Sequence, residues 1–148
     1  MDGKISFVIP CYGSEKTISD VIAGIEKTVA EKNNPYEIIC VNDGSPDGVY
    51  DVLKDFSSRK KNLKIINLSK NFGQHNAIMA GYRYVTGDII VTLDDDGQTD
   101  PADCYALINA LNDSVDVVYA KYPEKKESPF RLFGSYTAKI MGVWLCSG

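Results

Sequence analysis

Five short apolar runs rich in Ile and Val recur along the chain: Ile5 to Ile9, Glu37 to Val41, Leu63 to Leu68, Asp88 to Leu93 and Val115 to Tyr119. A helix-length segment separates each from the next. A strand with one wet face alternates apolar and polar residues, whereas these runs are nearly continuous, as strands are when helices cover both faces of a parallel sheet. The pattern predicts an α/β fold of five strands.

The intervening segments carry the helical period. Behind Pro10, Ser14 or Thr17 can cap a helix whose apolar residues Ile18, Val21, Ile22, Ile25 and Val29 recur at spacings of three and four, ending near Asn33-Asn34-Pro35. A second helix starts behind Ser45-Pro46, with Pro at an early helical position, and carries Val49, Val52, Leu53 and Phe56. A third runs from Gln74 to Tyr84 and stops at Thr86-Gly87. A fourth follows Thr99-Asp100-Pro101 and carries Tyr105, Leu107, Ile108 and Leu111.

At 148 residues the chain is the size of one domain. Its 44% hydrophobic and 24% charged residues exclude disordered, collagen-like and coiled-coil classes, and a net charge of -4 leaves no basic footprint for nucleic acid. Cys11, Cys40, Cys104 and Cys146 form no CxxC pair and His75 is the sole histidine, so neither a zinc site nor a disulfide framework is expected. Without a charged-then-apolar leader or an apolar run of membrane-spanning length, the expected setting is reducing and cytoplasmic.

The last segment differs. Between Lys121 and Lys139 five basic residues (Lys121, Lys125, Lys126, Arg131 and Lys139) face two acidic ones, and apolar residues then gather through Phe130, Phe133, Tyr136, Ile140, Val143 and Trp144. This reads as a helix-like run inside or just after which the chain stops, so residues 1–148 are expected to be the N-terminal part of a longer protein. The run suits either contact with a membrane surface through residues 121–146 or a domain-closing helix packed on further residues.

In open α/β sheets ligands bind beyond the carboxyl ends of the strands. The residues there are Pro10-Cys11-Tyr12-Gly13-Ser14-Glu15, Asn42-Asp43-Gly44-Ser45, Ser69-Lys70-Asn71-Phe72-Gly73 and Asp94-Asp95-Asp96-Gly97-Gln98. Three adjacent aspartates repel one another unless a cation or hydrogen bonds offset them, and carboxylates suit hard ions such as Mg²⁺ or Mn²⁺. Strand alternation would aim Asp94 and Asp96 one way and Asp95 another; a solvated, helix-capping acidic turn is the bland alternative. An EF-hand loop is excluded, because Thr99 stands where it needs Gly and Tyr105 where it needs Glu. Asp43 and Ser45 read as caps, or Asp43 as an acceptor for a planar N–H of a bound base. Lys70 ends a solvated basic run (Arg59, Lys60, Lys61 and Lys64) and lies late enough to approach a diphosphate. Tyr12 and Phe72 are core lids or a stacking shelf. His75 reads as a packed or surface residue. No Gly-x-Gly-x-x-Gly, P-loop or Gly-x-Ser-x-Gly is present, which disfavours dinucleotide oxidoreductases, P-loop ATPases and serine hydrolases.

Four segments in order, Phe7-Val8-Ile9-Pro10-Cys11-Tyr12, Val41-Asn42-Asp43-Gly44-Ser45-Pro46-Asp47-Gly48, Asn71-Phe72-Gly73-Gln74 and Leu93-Asp94-Asp95-Asp96-Gly97-Gln98, resemble family 2 glycosyltransferases of the GT-A fold. The Asn-Phe-Gly-Gln segment and Lys125-Lys126-Glu127-Ser128-Pro129-Phe130-Arg131 resemble the dolichyl- and undecaprenyl-phosphate sugar synthase branch. The resemblance implies an inverting transferase with a nucleotide-diphosphate sugar donor, most often a UDP-sugar, and a polyprenyl phosphate or cell-surface glycan as acceptor. The full-length protein would then lie at the inner face of the membrane. By position, Pro10 and Tyr12 line the nucleoside pocket and Asp43 bonds the base. Asp94 and Asp96 match the Asp-x-Asp motif that holds Mg²⁺ or Mn²⁺, Gln98 shapes the sugar site, and Glu15, Lys70 and Asp95 complete the donor-binding set. Asn42 stands where the family more often has Asp, and Asp95 where the branch often has a small residue. No counterpart of the family's general base precedes Gly148. A regulatory domain that binds a nucleotide sugar without transferring it is the alternative, and a nucleotidyltransferase, which should show a Gly-rich segment after the first strand, is a more distant one.

Overall fold

The computed structural model describes residues 3–112, 114–120 and 142–145. The first apolar run, β1 (Ile5–Cys11), is central, pairing in parallel with β2 (Tyr36–Asn42) on one side and β4 (Ile89–Thr92) on the other. β3 (Leu63–Asn67) extends the sheet beyond β2, and the complete order is β3-β2-β1-β4-β6-β5.

Crossovers between parallel strands are right-handed, so a chain that builds outward one way and then returns past its first strand must change the face its helices cover. α1 (Ile18–Lys32) and α2 (Val49–Arg59) therefore share one face, and α3 (Gln74–Tyr82), which carries the chain from β3 back past β1 to β4, takes the opposite one. Phe7, Ile9, Ile38, Cys40 and Val91 join Ile18, Ile22, Ile25 and Leu53 in one core, whereas Val8, Ile39, Val41 and Ile90 join Ala77 in the other. Successive residues feed opposite cores, and both are apolar. That is the physical reason for the unbroken runs.

α3 lies unusually close to the sheet. A Cβ on Gly81 would stand 2.5 Å from Val8 Cγ1 and 3.1 Å from Val41 Cγ2, so only glycine permits this approach.

The architecture departs from the sequence expectation in three places. Among the described residues the sheet has six strands, not five: Gly142–Leu145 is β6, antiparallel to both β4 and β5 (Val117–Tyr119), where a helix-like run is expected. Val143 enters the first core and Trp144 packs against the second, a period of two that a slot between two strands imposes on a segment of ambiguous composition. The basic and aromatic stretch before it falls within residues 121–141, outside the described residues. Second, α2 begins at Val49 behind Gly48, leaving Pro46 in the preceding turn. Asp47 Oδ1 meets the N–H of Val49 at 3.2 Å and does the capping instead. Third, the fourth helix is short: Asp100 caps a 3₁₀ turn, Pro101–Asp103, that leads into α4 (Cys104–Ile108).

At the amino-terminal end of the sheet Glu37 is 2% exposed and gathers donors from four residues on three neighbouring segments. Ser6 Oγ lies at 2.7 Å, Lys64 Nζ at 2.9 Å, and the Thr86 N–H and hydroxyl at 2.7 and 2.9 Å, with Lys4 Nζ at 3.3 Å. Burial alone would raise the pKa of this carboxyl, but the hydrogen bonds from Ser6, Lys64 and Thr86 outweigh it and hold the value at about 2. A folded-state pKa below the unfolded one gives stability that is present above the unfolded value and lost as pH falls through the folded one. We expect unfolding free energy to drop by up to about 3 kcal/mol between roughly pH 4.5 and pH 2. Urea denaturation across that range should show the drop in the wild type and a flatter profile in Glu37→Gln.

Candidate functional site

Strand order reverses between β2 and β4 on either side of β1, and a crevice forms at the carboxyl end of such a switch point. Pairing of β1 with β4 stops at Val8 and Thr92, and the last bond beyond it runs from the Leu93 N–H to the Val8 carbonyl at 3.2 Å. The next rung of a parallel ladder would need an N–H at residue 10, which is Pro10. The two strands separate at this point. Pro10 is thus buried at the root of the crevice while still paired with Val41 of β2.

The loop after β2 is pinned by Asp43, 2% exposed. Its Oδ1 accepts the N–H of Phe72 at 2.8 Å and its Oδ2 that of Gly73 at 2.9 Å, so one carboxylate caps the start of α3. Gly44 beside it has φ of +61°, and a Cβ there would lie 2.3 Å from the Lys70 carbonyl carbon; only glycine lets the two loops touch. The cap expected for α2 therefore serves α3. Asn42 donates its amide to Asn67 Oδ1 at 2.7 Å and accepts the Ser45 N–H at 3.1 Å. The pair ties the tip of β2 to the end of β3.

The loops after β1 and β2 are tied reciprocally. Gly13 N–H donates to Ser45 Oγ at 2.8 Å, the Ser45 hydroxyl to Asp47 Oδ1 at 2.6 Å, Glu15 N–H to Asp47 Oδ2 at 2.9 Å, and Gly48 N–H to Glu15 Oε2 at 3.1 Å. Slight burial would raise the Asp47 pKa, but the donors Ser45, Glu15 and Val49 outweigh it and the value is lowered. The sequence reading gave Asp47 no role. The Ser45-Pro46-Asp47 spacing, short enough for the hydroxyl to reach the carboxylate, was the available clue.

The three aspartates beyond β4 diverge onto three partners. Asp94 Oδ1 accepts from the Gln74 side-chain amide at 2.8 Å, Asp95 Oδ2 from the Tyr12 N–H at 2.9 Å, and Asp96 Oδ1 from the Gln98 N–H at 2.9 Å. They lie past the end of the strand, in a bend, so alternation does not orient them, yet Asp95 does turn away from Gln74 towards β1. The Thr17 hydroxyl, expected as a cap for α1, donates instead to the Asp95 carbonyl at 2.6 Å. Burial raises the Asp95 pKa, against the pull of the Tyr12 N–H. Asp96 and Gln98 are exposed and Asp94 is half-buried.

Tyr12 and Phe72 are 52% and 46% exposed, which removes the core-lid reading for both. Lys70 stands 5.1 Å from the Phe72 ring centroid, within cation–π range. Glu15 and His75 are exposed, His75 on the first turn of α3. Cys11, Cys40 and Cys104 are buried free thiols. The neighbouring Cys40 and burial raise the Cys11 pKa, and burial pushes Cys104 to about 12, so neither supplies a thiolate. Among the described residues no three His, Cys, Asp or Glu side chains close around a common point as a metal cage. The Asp94 and Asp96 carboxylates supply hard oxygen donors on one loop, which fits an ion that completes its shell with phosphate oxygens and water.

Comparison with known proteins follows the same lines. The family model described as glycosyl transferase family 2 matches residues 6–143. The undecaprenyl-phosphate 4-deoxy-4-formamido-L-arabinose transferase of Enterobacter sp. (strain 638) is 35% identical over 97% of this chain and 47% of that protein. The chain spans about half the length of this curated relative. The mannosyltransferase PcManGT from Pyrobaculum calidifontis, in complex with GDP-Man and Mn²⁺, superposes with a TM-score of 0.64 at 18% identity, covering 79% of this chain and 35% of that one. TarS 1-349 of S. aureus, in complex with UDP-GlcNAc, gives 0.54 at 24% identity over 72% and 31%. These likenesses show the fold, which is GT-A, as the sequence resemblance implies.

Because Asp43 satisfies two backbone donors from a buried position, we expect Asp43→Ala to cost about 3 kcal/mol and Asp43→Asn, which keeps one acceptor, less. Urea unfolding of the two variants beside the wild type measures both.

Proposed function

Since the chain belongs to glycosyl transferase family 2, we propose that residues 1–148 are the donor-binding domain of a longer enzyme. That enzyme moves a sugar, with inversion, from a nucleotide diphosphate, a UDP-sugar, to a polyprenyl phosphate. The observation that carries this reading is the meeting of the Asp94–Asp96 loop with the Tyr12 and Asp43 loops around the point where β1 and β4 part.

In this reading the exposed rings of Tyr12 and Phe72 form the shelf for the base above Pro10, and the lone pairs left on Asp43 accept its N–H. Glu15 lines the rim while tied to Gly48, Asp95 holds Tyr12 in place, and Lys70 faces the diphosphate from the loop after β3. Asp94 and Asp96 would hold Mg²⁺ or Mn²⁺, and such an ion would supply positive charge against the diphosphate as the sugar leaves. Gln98 shapes the sugar pocket beside them. A polyprenyl phosphate oxygen is already anionic, so attack on the anomeric carbon needs no strong base, and the acceptor class is supported by the named activity of the Enterobacter relative.

No helix among the described residues is long and apolar enough to cross a membrane. Of the stretch 121–146 expected to meet a membrane surface, Gly142–Leu145 is taken up by the sheet, so contact with the inner face of a membrane would fall to the basic and aromatic residues before it, which attract anionic headgroups.

Calorimetry with UDP tests the site. We expect at least tenfold tighter binding with Mn²⁺ than without it, and Asp96→Asn should lose that gain while keeping the metal-free affinity; equal affinity in the wild type with and without Mn²⁺ would count against the assignment. Incubating the full-length protein with a UDP-sugar and undecaprenyl phosphate tests the reaction. Donor binding without transfer or hydrolysis would favour a regulatory domain.

A further inference from the structure

Gln74 opens α3 and reaches the loop after β4, where its side-chain amide donates to Asp94 Oδ1 at 2.8 Å. The helix that carries it is held along its length. Asp43 accepts the two N–H groups just before it, Gly81 seats it directly on Val8 and Val41, and the Tyr82 hydroxyl lies 2.9 Å from Thr92 Oγ1 of β4. A side chain on the first turn of a helix so anchored departs from a fixed point. Asp94, by contrast, sits two residues past the end of β4, where the strand ladder no longer orients it.

The chemistry of the donor matters as much as its position. A Lys or Arg in place of Gln74 would bind the Asp94 carboxylate more strongly, but it would also neutralise the charge and compete with any cation. A neutral amide uses one lone pair and restrains the rotation of the carboxylate without adding a positive charge of its own. Groups that hold metal ligands in this way typically carry 10–100-fold in metal affinity.

We propose that Gln74 is a positioning residue that sets the orientation in which Asp94 meets a divalent cation and the diphosphate of the donor. This rests on the reading above in which Asp94 and Asp96 hold that cation. Through the cap on α3, the carboxylate beside the base also governs the carboxylate beside the metal: Asp43 fixes the helix start, the helix fixes Gln74, and Gln74 fixes Asp94.

The test uses Gln74→Met, equal in length, and Gln74→Ala, both good helix formers that lack the donor. UDP affinity is measured by calorimetry with and without Mn²⁺, and thermal unfolding is followed for each protein. We expect the Mn²⁺-dependent gain in affinity to fall tenfold or more in both variants, with metal-free affinity and Tm held at wild-type values. An undiminished gain in both variants, beside a wild type that responds to Mn²⁺, overturns the role of Gln74 and leaves the metal reading standing. A loss of metal-free affinity and Tm in step with the gain also overturns it, because that is the behaviour of a structural tether. A wild type indifferent to Mn²⁺ removes the metal reading, and the role of Gln74 with it.

Discussion

Much of the carboxyl end of this sheet rests on one buried carboxylate accepting two backbone donors. Asp43 closes β2 and caps α3 from across the crevice, linking a strand tip to a helix that belongs to the opposite layer. Without it, the Phe72 N–H would lose its acceptor, the Gly73 N–H would be left with Asn71 Oδ1, and the loop that presents Lys70 and Phe72 would lose an anchor. The neighbouring Gly44 makes the same junction possible sterically, since any side chain there would collide with the backbone it carries. One short segment, Asn42 to Ser45, thereby sets the relative position of three loops.

The two ends of the sheet treat negative charge in opposite ways. At the amino-terminal end, Glu37 is sealed and fully engaged by Ser6, Lys64 and Thr86, so its charge is spent internally. At the carboxyl end, the Gln74 amide, the Tyr12 N–H and the Gln98 N–H meet Asp94, Asp95 and Asp96 in turn. Adjacent carboxylates repel one another and cost stability unless a cation or hydrogen bonds offset them. The first arrangement is a structural staple sealed from solvent, whereas the second ends in an exposed carboxylate, Asp96.

Most of the layering was legible from the residues alone. Unbroken Ile and Val runs identified strands buried on both sides, and spacings of three and four located α1 within a few residues. The polar clusters after each run did fall on one edge. What escaped was non-local. Gly142–Leu145 has no strand pattern beyond its own four residues, and it becomes a strand because β4 and β5 leave a slot that only a chain distant in sequence can fill. Pro46 is compatible with a first helical turn, but Asp47 is already committed to Ser45 and Glu15 and sets the start of α2 at Val49. Likewise the divergence of the three aspartates depends on Tyr12, Gln74 and Gln98, and only the last is near in sequence.

Pro10 has a consequence that reaches past its own position. The crevice owes its mouth to an absent hydrogen rather than to bulky side chains propping two strands apart: an imino nitrogen cannot extend the ladder toward Leu93, so the sheet frays at a fixed rung. Because the aperture is written into the backbone, the surrounding loops are at liberty to diversify. A scaffold of this kind can exchange the contents of its cleft, and with them the molecules it accommodates, without having to reopen the gap each time.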